Sequence, residues 1–114
     1  MEKVSTRVAC DSVDENDGEF FLVFHFDREL SFRIKSPIES LTEENVAALQ
    51  IADDEPSKDF ITRLLKRPGV EKIQAASRYS IALQIGKLWS NGDYLKSFER
   101  GVERAIKEYL QREE

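Results

Sequence analysis

Apolar and polar residues alternate in several short stretches of the first 35 positions, which is the pattern of a strand with one covered face. Val4 to Cys10 alternates in this way, and Leu30 to Ile34 does so again. Between them, Phe20 to Phe26 is apolar at every position except His25. The acidic, glycine-containing segment 14–18 between the first two stretches predicts a hairpin turn. We therefore expect three strands here, with the second in the middle of the sheet because both of its faces are apolar.

The second half of the chain predicts helix, strand, strand and helix. Ser57 is a suitable N-cap for a helix over residues 58–67, which Pro68-Gly69 would end. Alternating stretches beginning at Val70 and at Tyr79 predict two strands. Apolar residues then recur at helical spacing from Tyr94, so the last helix is expected over residues 94–111.

The connection between the two halves carries a weaker pattern. Thr42 can cap a short helix that begins with two glutamates. Pro56 closes an acidic stretch and is expected to stop any helix before it, because the residue preceding a proline avoids the helical region. The elements together predict an α+β fold: a single domain over residues 1–114, built as a two-layer sandwich. An antiparallel or mixed sheet of about five strands would carry the helices at 58–67 and 94–111 on one face.

Charge and composition narrow the classes of partner. The net charge of −5 opposes the phosphate neutralisation on which nucleic-acid binding depends, so nucleic acid is not an expected partner. No apolar run reaches the length of a membrane span, and no membrane partner is expected. Cys10 is the only cysteine, which excludes an intramolecular disulfide and fits the reducing environment of the cytoplasm.

Residues that could perform chemistry are few. One cysteine and one histidine do not make a zinc or iron–sulfur site, and no glycine-rich phosphate loop is present, so we predict no metal site and no cofactor. Cys10 and His25 could meet across the first hairpin. As a nucleophile and base they would still need an orienting group and an oxyanion site that the sequence does not mark, so no catalytic residue is predicted.

The remaining candidates are surface residues. Alternation places Phe21, Val23 and His25 on the face of the central strand opposite to Phe20, Leu22, Phe24 and Phe26. Trp89 lies in a loop between a strand and a helix, where tryptophan often concentrates binding energy. Covering one end of the core is the favoured interpretation of Trp89, because a small domain has few large residues with which to close its ends. The predicted interaction surface consists of Phe21, Val23, His25 and Trp89.

The run from Ser57 through Leu64-Leu65 and Pro68-Gly69-Val70 to Ser80-Ile81 and the last helix resembles the N-terminal domain of Nfu-type (NifU-like) iron–sulfur scaffold proteins. In that family too, an apolar helix leads into Pro-Gly-Val and two strands. The resemblance covers residues 57–110 most clearly and implies an accessory role in iron–sulfur assembly. The family's cluster-binding Cys-x-x-Cys belongs to a separate domain and has no counterpart in this sequence, so cluster binding is not carried over.

These observations favour a non-catalytic protein-interaction or adaptor module with an unidentified protein partner. The alternative is a small-ligand-binding regulatory domain of the ferredoxin-like type, forming a homodimer with ligands at its interface. An enzyme that uses Cys10 and His25 ranks third.

Overall fold

The computed structural model describes residues 7–14, 20–35, 40–49, 53–86 and 92–111. Its elements, in chain order, are β1 (Val8–Asp14), β2 (Phe20–Phe26), α1 (Val46–Leu49), α2 (Glu55–Lys66), β3 (Val70–Ala76), β4 (Ser80–Ile85) and α3 (Gly92–Leu110). The strands form one sheet in the order β1-β2-β4-β3, and all neighbours are antiparallel. The α+β class is therefore confirmed, and β2 has the central position that its two apolar faces predicted.

The strand count is lower than expected: in the described residues the sheet has four strands, not about five. The missing strand is the stretch around Leu30, Phe32 and Ile34. Its apolar side chains are buried as the alternation predicted. Its backbone, however, joins the sheet at one isolated bridge, from Ile34 to Ala76 of β3, and a second isolated bridge follows from Leu41 to Ile73. Alternation therefore predicted burial correctly and backbone pairing wrongly, because the two properties are independent.

The beginning of α2 also differs from the sequence prediction. Asp54, not Ser57, is the N-cap: its side chain accepts a hydrogen bond of 3.0 Å from the backbone N–H of Ser57. The stretch 53–56 lies at a boundary between elements as expected, since α1 ends at Leu49 and α2 begins at Glu55, and Pro56 itself lies in the first turn of α2. A proline is tolerated there because the N–H groups of the first turn have no partner within the helix.

Two other local predictions agree with the structure. The side-chain oxygen of Thr42 accepts a hydrogen bond from the backbone N–H of Asn45, just before α1, and Asn45 accepts one in return. Gly69, just after α2, has a φ of 96°, a conformation that favours glycine at the end of a helix.

The core lies between one face of the sheet and the two long helices. α2 packs beside β3, and α3 packs beside β1 and α2. Most of the buried residues lie on one face of β2, β3 and β4 and on one stripe of each long helix. They are Leu22, Phe24, Phe26, Ile73, Ala76, Ile81, Leu83 and Ile85 from the sheet, Phe60, Ile61, Leu64 and Leu65 from α2, and Phe98, Val102, Ile106, Tyr109 and Leu110 from α3. Leu30, Phe32, Ile34 and Leu41, from the connection between β2 and α1, complete the core. The two-layer arrangement follows, with both long helices on the same side of the sheet.

A hydrogen-bonded group of side chains lies where the two helices meet. The hydroxyls of Ser57 and Tyr109 are bonded to each other, and that of Ser31 lies 3.1 Å from Ser57 and 2.7 Å from Tyr109. The Ser57 hydroxyl also donates to Asp54 Oδ2 at 2.8 Å. Ser57 is fully buried and satisfies the rule that buried polar groups are hydrogen-bonded. The Tyr109 ring stacks on Phe60 with centroids 4.3 Å apart.

Two arginines fix α3 to the earlier part of the chain. The guanidinium of Arg28, just after β2, donates to the backbone carbonyl of Leu110 at 3.1 Å and so satisfies a carbonyl at the end of α3. The guanidinium of Arg67, at the end of α2, donates to the carbonyl of Gly101 at 3.2 Å. A Cβ atom at position 101 would lie only 2.5 Å from Arg67 Nη1, so the glycine permits this close approach.

Candidate functional site

Three of the four predicted surface residues lie together on the sheet face that the long helices leave uncovered. Along β2, Leu22, Phe24 and Phe26 point into the core, whereas Phe21 and Val23 are partly exposed and His25 is exposed. We call the residues Phe21, Val23 and His25 the open-face row. Since β2 is central, this row runs along the middle of the uncovered face.

Neighbouring strands give the row small and polar surroundings. On β4, Ser80, Ala82 and Gln84 lie opposite His25, Val23 and Phe21, and on β1, Ala9, Asp11 and Val13 lie opposite the same three residues. All of these neighbours except Val13 are short or hydrophilic, so Phe21 and Val23 are the large apolar side chains near the middle of the face. Such a layout, with apolar residues at the centre and polar ones around them, is typical of protein interfaces.

A contact between an exposed histidine and an exposed carboxylate closes one end of the row. His25 Nε2 lies 3.2 Å from Asp11 Oδ2, and both side chains are at least half exposed. A contact between such groups at the surface contributes little to folding stability because water screens it.

Asp11 was not among the predicted surface residues. The alternation of the first strand placed it on the same face as Ala9, but the pairing of β1 with β2 was needed to bring it beside His25. At the other end of the row, Gln84 donates from Nε2 to a carboxylate oxygen of Glu71 on β3 at 2.9 Å. The signal for both neighbours is the strand register, which the sequence pattern alone does not supply.

The fourth predicted residue, Trp89, lies outside the described residues. Among the described residues, the large apolar side chains with the greatest exposure are Tyr79, at 50%, and Tyr94, at 68%. Tyr79 precedes β4 and anchors the turn through its backbone, whose carbonyl accepts a hydrogen bond from the N–H of Phe26. Neither tyrosine belongs to the open-face row.

The structure separates Cys10 from His25. Cys10 lies opposite Phe24 and packs against the core, whereas His25 lies opposite Ala9 on the open face. Burial, reinforced by the carboxylates of Glu99, Asp11 and Glu103, raises the pKa of the Cys10 thiol to about 12. The cysteine is therefore a protonated thiol at neutral pH, and the arrangement does not provide the nucleophile and base considered for the first hairpin.

An open hollow lies beside one end of the row, where β1 begins. Its volume is about 630 Å³. The lining residues are Arg7, Val8, Ala9, His25, Phe26, Asp27 and Lys107. Two cationic groups and a histidine therefore surround one carboxylate in a concave part of the surface.

The described part of the chain contains no group of three or more histidine, cysteine, aspartate or glutamate side chains placed to hold a metal ion. None of its helices combines the length and apolar character needed to cross a membrane.

Comparison of the chain with protein-family models, with curated proteins and with solved structures gives no match. The resemblance to the Nfu N-terminal domain therefore stays a prediction based on the residues quoted for it.

Proposed function

We propose that this protein is a non-catalytic interaction module that binds a protein partner through the open-face row. The observation that carries the proposal is the position of Phe21 and Val23, two partly exposed apolar side chains on a central strand that neither long helix covers. Burying such residues removes apolar surface from water, which is the main favourable term in protein association.

The structure of the face supports a preformed binding surface. β2 is held by β1 on one side and β4 on the other, and each residue of the row is in regular register with both neighbours. A side chain on such a strand loses little backbone freedom when a partner binds. The row can therefore present Phe21 and Val23 without first having to order the chain that carries them.

The first partners to test are iron–sulfur assembly proteins of the cytoplasm. The support for this class is the resemblance of residues 57–110 to the Nfu N-terminal domain. In such a role the module would supply contacts, and the cysteine ligands would come from another protein. The single, protonated thiol of Cys10 is consistent with a protein that does not itself supply the cluster ligands.

The experiment is quantitative capture with purified protein as bait, followed by a binding measurement with each purified candidate. The test variant is Phe21→Lys/Val23→Lys, and a milder one is Phe21→Ser/Val23→Thr, which keeps a residue suited to strands at position 23. The matched control is Tyr94→Lys, which changes an exposed aromatic residue away from the row.

We expect both row variants to weaken binding at least tenfold, which corresponds to about 1.4 kcal/mol, since a few residues at the centre of an interface contribute most of its binding energy. The control should bind like the unchanged protein. Circular dichroism and thermal melts verify that each variant is folded. Equal capture by folded row variants and by the unchanged protein would refute the proposal.

A small-ligand-binding regulatory domain is the second candidate, and the hollow at the start of β1 favours it. Its volume falls within the range of roughly 300–1,000 Å³ found for ligand pockets. Arg7 and Lys107 would suit an anionic small molecule. Thermal shift across a panel of anionic metabolites tests this candidate, since a ligand at a hundred times its dissociation constant stabilises by about 2.7 kcal/mol. An unchanged melting temperature across the panel would count against it.

A further inference from the structure

The two edges of the sheet differ in how they are protected. The outer side of β3 is bridged by Ile34 and Leu41, and its pairing with β4 contains two register shifts. Covering segments and bulges are two of the ways in which proteins prevent an edge strand from pairing with another chain. β1 has neither among the described residues: its seven pairs with β2 are consecutive, and no described strand pairs with its outer side.

The hydrogen bonds identify the backbone groups of β1 that point outward. The N–H of Phe26 donates to the carbonyl of Tyr79, so the backbone groups of Phe26 point towards β4. Because these groups alternate in direction along an antiparallel strand, those of Phe21, Val23 and His25 point towards β1. The N–H of Arg7 correspondingly points inward, to Asp27 Oδ1 at 3.1 Å. Alternation then leaves the N–H and C=O groups of Val8, Cys10 and Ser12 on the outer side.

We propose that β1 pairs antiparallel with β1 of a second copy of this chain, about a two-fold axis at Ala9, to form a continuous eight-stranded sheet. In this register Val8 lies opposite Cys10 of the second copy, and the two residues exchange both of their backbone hydrogen bonds. The proposed dimer uses the edge of the sheet and does not depend on binding through the open-face row.

Charge complementarity selects the register. With the axis at Ala9, Arg7 of each copy lies opposite Asp11 of the other, and such pairs stabilise neighbouring strands. Both belong to non-hydrogen-bonded positions, where side chains approach most closely. Moving the axis to Asp11 would place two aspartates opposite each other, and moving it to Cys10 would leave Asp11 opposite Ala9.

Two charged residues of α3, Glu103 and Lys107, are also placed favourably by a two-fold axis at Ala9. Glu103 lies near Cys10, and Lys107 lies beside Val8 and Ala9. The two residues therefore lie on either side of the position of Ala9. Within one copy, Lys107 Nζ already lies 3.0 Å from Glu103 Oε1. A two-fold axis there would bring Glu103 of one copy towards Lys107 of the other, so that the two internal pairs would lie side by side with opposite charges facing each other above the joined strands.

Analytical ultracentrifugation of the full chain, from micromolar to millimolar concentration, tests the proposal with variants in which the charges at positions 7 and 11 are reversed. We expect the unchanged protein to be a dimer, and Arg7→Glu and Asp11→Lys each to raise the dissociation constant at least about tenfold, because each creates two like-charge pairs per dimer. The double variant Arg7→Glu/Asp11→Lys should return to within about threefold of the original. This rescue distinguishes a lost interface from a damaged fold.

A cross-link tests the register. Val8→Cys would place the new thiol opposite Cys10 of the second copy at a Cα separation of about 5.5 Å, within the range that a disulfide spans. We expect oxidation to give a covalent dimer with this variant and not with the unchanged protein. Covalent dimers of the unchanged protein would place the axis at Cys10 and overturn the proposed register.

Three results would overturn the dimer itself. They are a monomer at every concentration, single variants that dimerise as well as the unchanged protein, and a double variant that stays monomeric. Binding of an extended peptide to β1 of a persistently monomeric protein would show that the edge serves another occupant. The variants Phe21→Lys/Val23→Lys should remain dimeric, so failure of this proposal and failure of the proposed function are separable.

Discussion

Replacement of Tyr109 by phenylalanine removes one hydroxyl from the junction between α2 and α3 and leaves the ring in place. That hydroxyl is bonded to Ser57, which is fully buried, and lies 2.7 Å from the hydroxyl of Ser31. The ring keeps its stacking on Phe60. The substitution therefore isolates the hydrogen bonds from the aromatic packing.

The expected loss of stability depends on the hydrogen bonds that the Ser57 hydroxyl keeps in the variant. Its hydroxyl still donates to Asp54 Oδ2 at 2.8 Å and lies 3.1 Å from Ser31, so the change leaves no buried hydroxyl without a partner at this position. Two hydrogen bonds are lost, each with a net contribution of about 0.5–1.5 kcal/mol. We expect the free energy of unfolding to fall by about 1–3 kcal/mol and the melting temperature by about 4–12 °C.

A double-mutant cycle with Ser57→Ala measures the bond between the two residues directly. Urea unfolding of the original protein, Tyr109→Phe, Ser57→Ala and the double variant gives four free energies, and the coupling between the residues should be about 1 kcal/mol. Ser57→Ala alone should cost more than Tyr109→Phe, because it also removes the bond to Asp54. A coupling below about 0.3 kcal/mol would refute the view that the buried hydroxyls act together.

Two further predictions concern the thiol on β1 and the contact between the long helices. For Cys10, the folded pKa of about 12 exceeds the ordinary value of 9.0, so unfolding releases a proton at high pH and stability should fall as pH rises above about 9. Urea unfolding at several pH values measures this fall, which should be smaller in Cys10→Ala; an equal pH dependence would contradict the assigned pKa. For Gly101→Ala, the loss of the Arg67 contact should offset the gain in helix propensity, whereas in an Arg67→Ala background the same change should stabilise by about 1 kcal/mol. Thermal unfolding of the four proteins measures both effects, and equal responses in the two backgrounds would contradict the role given to Arg67.

Predictions from the sequence were most accurate where a single hydrophobic pattern determines a single structural property, such as burial or helix length. In β2 the alternation of apolar residues determines which side chains are buried, and the structure has Leu22, Phe24 and Phe26 in the core as expected. The long helices were also predicted within a few residues of their observed bounds, because an amphipathic stripe needs many positions and is hard to imitate by chance.

Predictions were wrong or incomplete where one sequence pattern is compatible with two different local structures. Ser57 and Asp54 are both suitable N-caps, and only the hydrogen bond between them shows which residue begins α2. Pro56 marks a boundary between elements as expected, but the pattern did not show that the proline itself belongs to the first turn of α2. The stretch from Leu30 to Ile34 alternates like a strand, but pairing depends on whether a neighbouring backbone has free groups at the right spacing.

For the candidate site too, the sequence pattern predicted which face of a strand a residue occupies but not which residues meet between strands. Alternation was enough to place Phe21, Val23 and His25 on one face. It could not show that Asp11 reaches His25, that Cys10 lies on the opposite face or that β1 is an edge, because these depend on strand order and register. Such pairings join distant parts of the chain, and no local pattern encodes them.

The contacts of α3 have a consequence for the order in which the protein can fold during synthesis. The helix is the last of the described elements, yet its partners include Arg28 and Ser31 before α2, and Ser57 and Arg67 within or just after it. Until Leu110 leaves the ribosome, the apolar face of the sheet beneath α3 has no cover. We therefore expect the nascent chain to depend on a chaperone until α3 has been synthesised, and a chain ending before Gly92 to aggregate instead of folding.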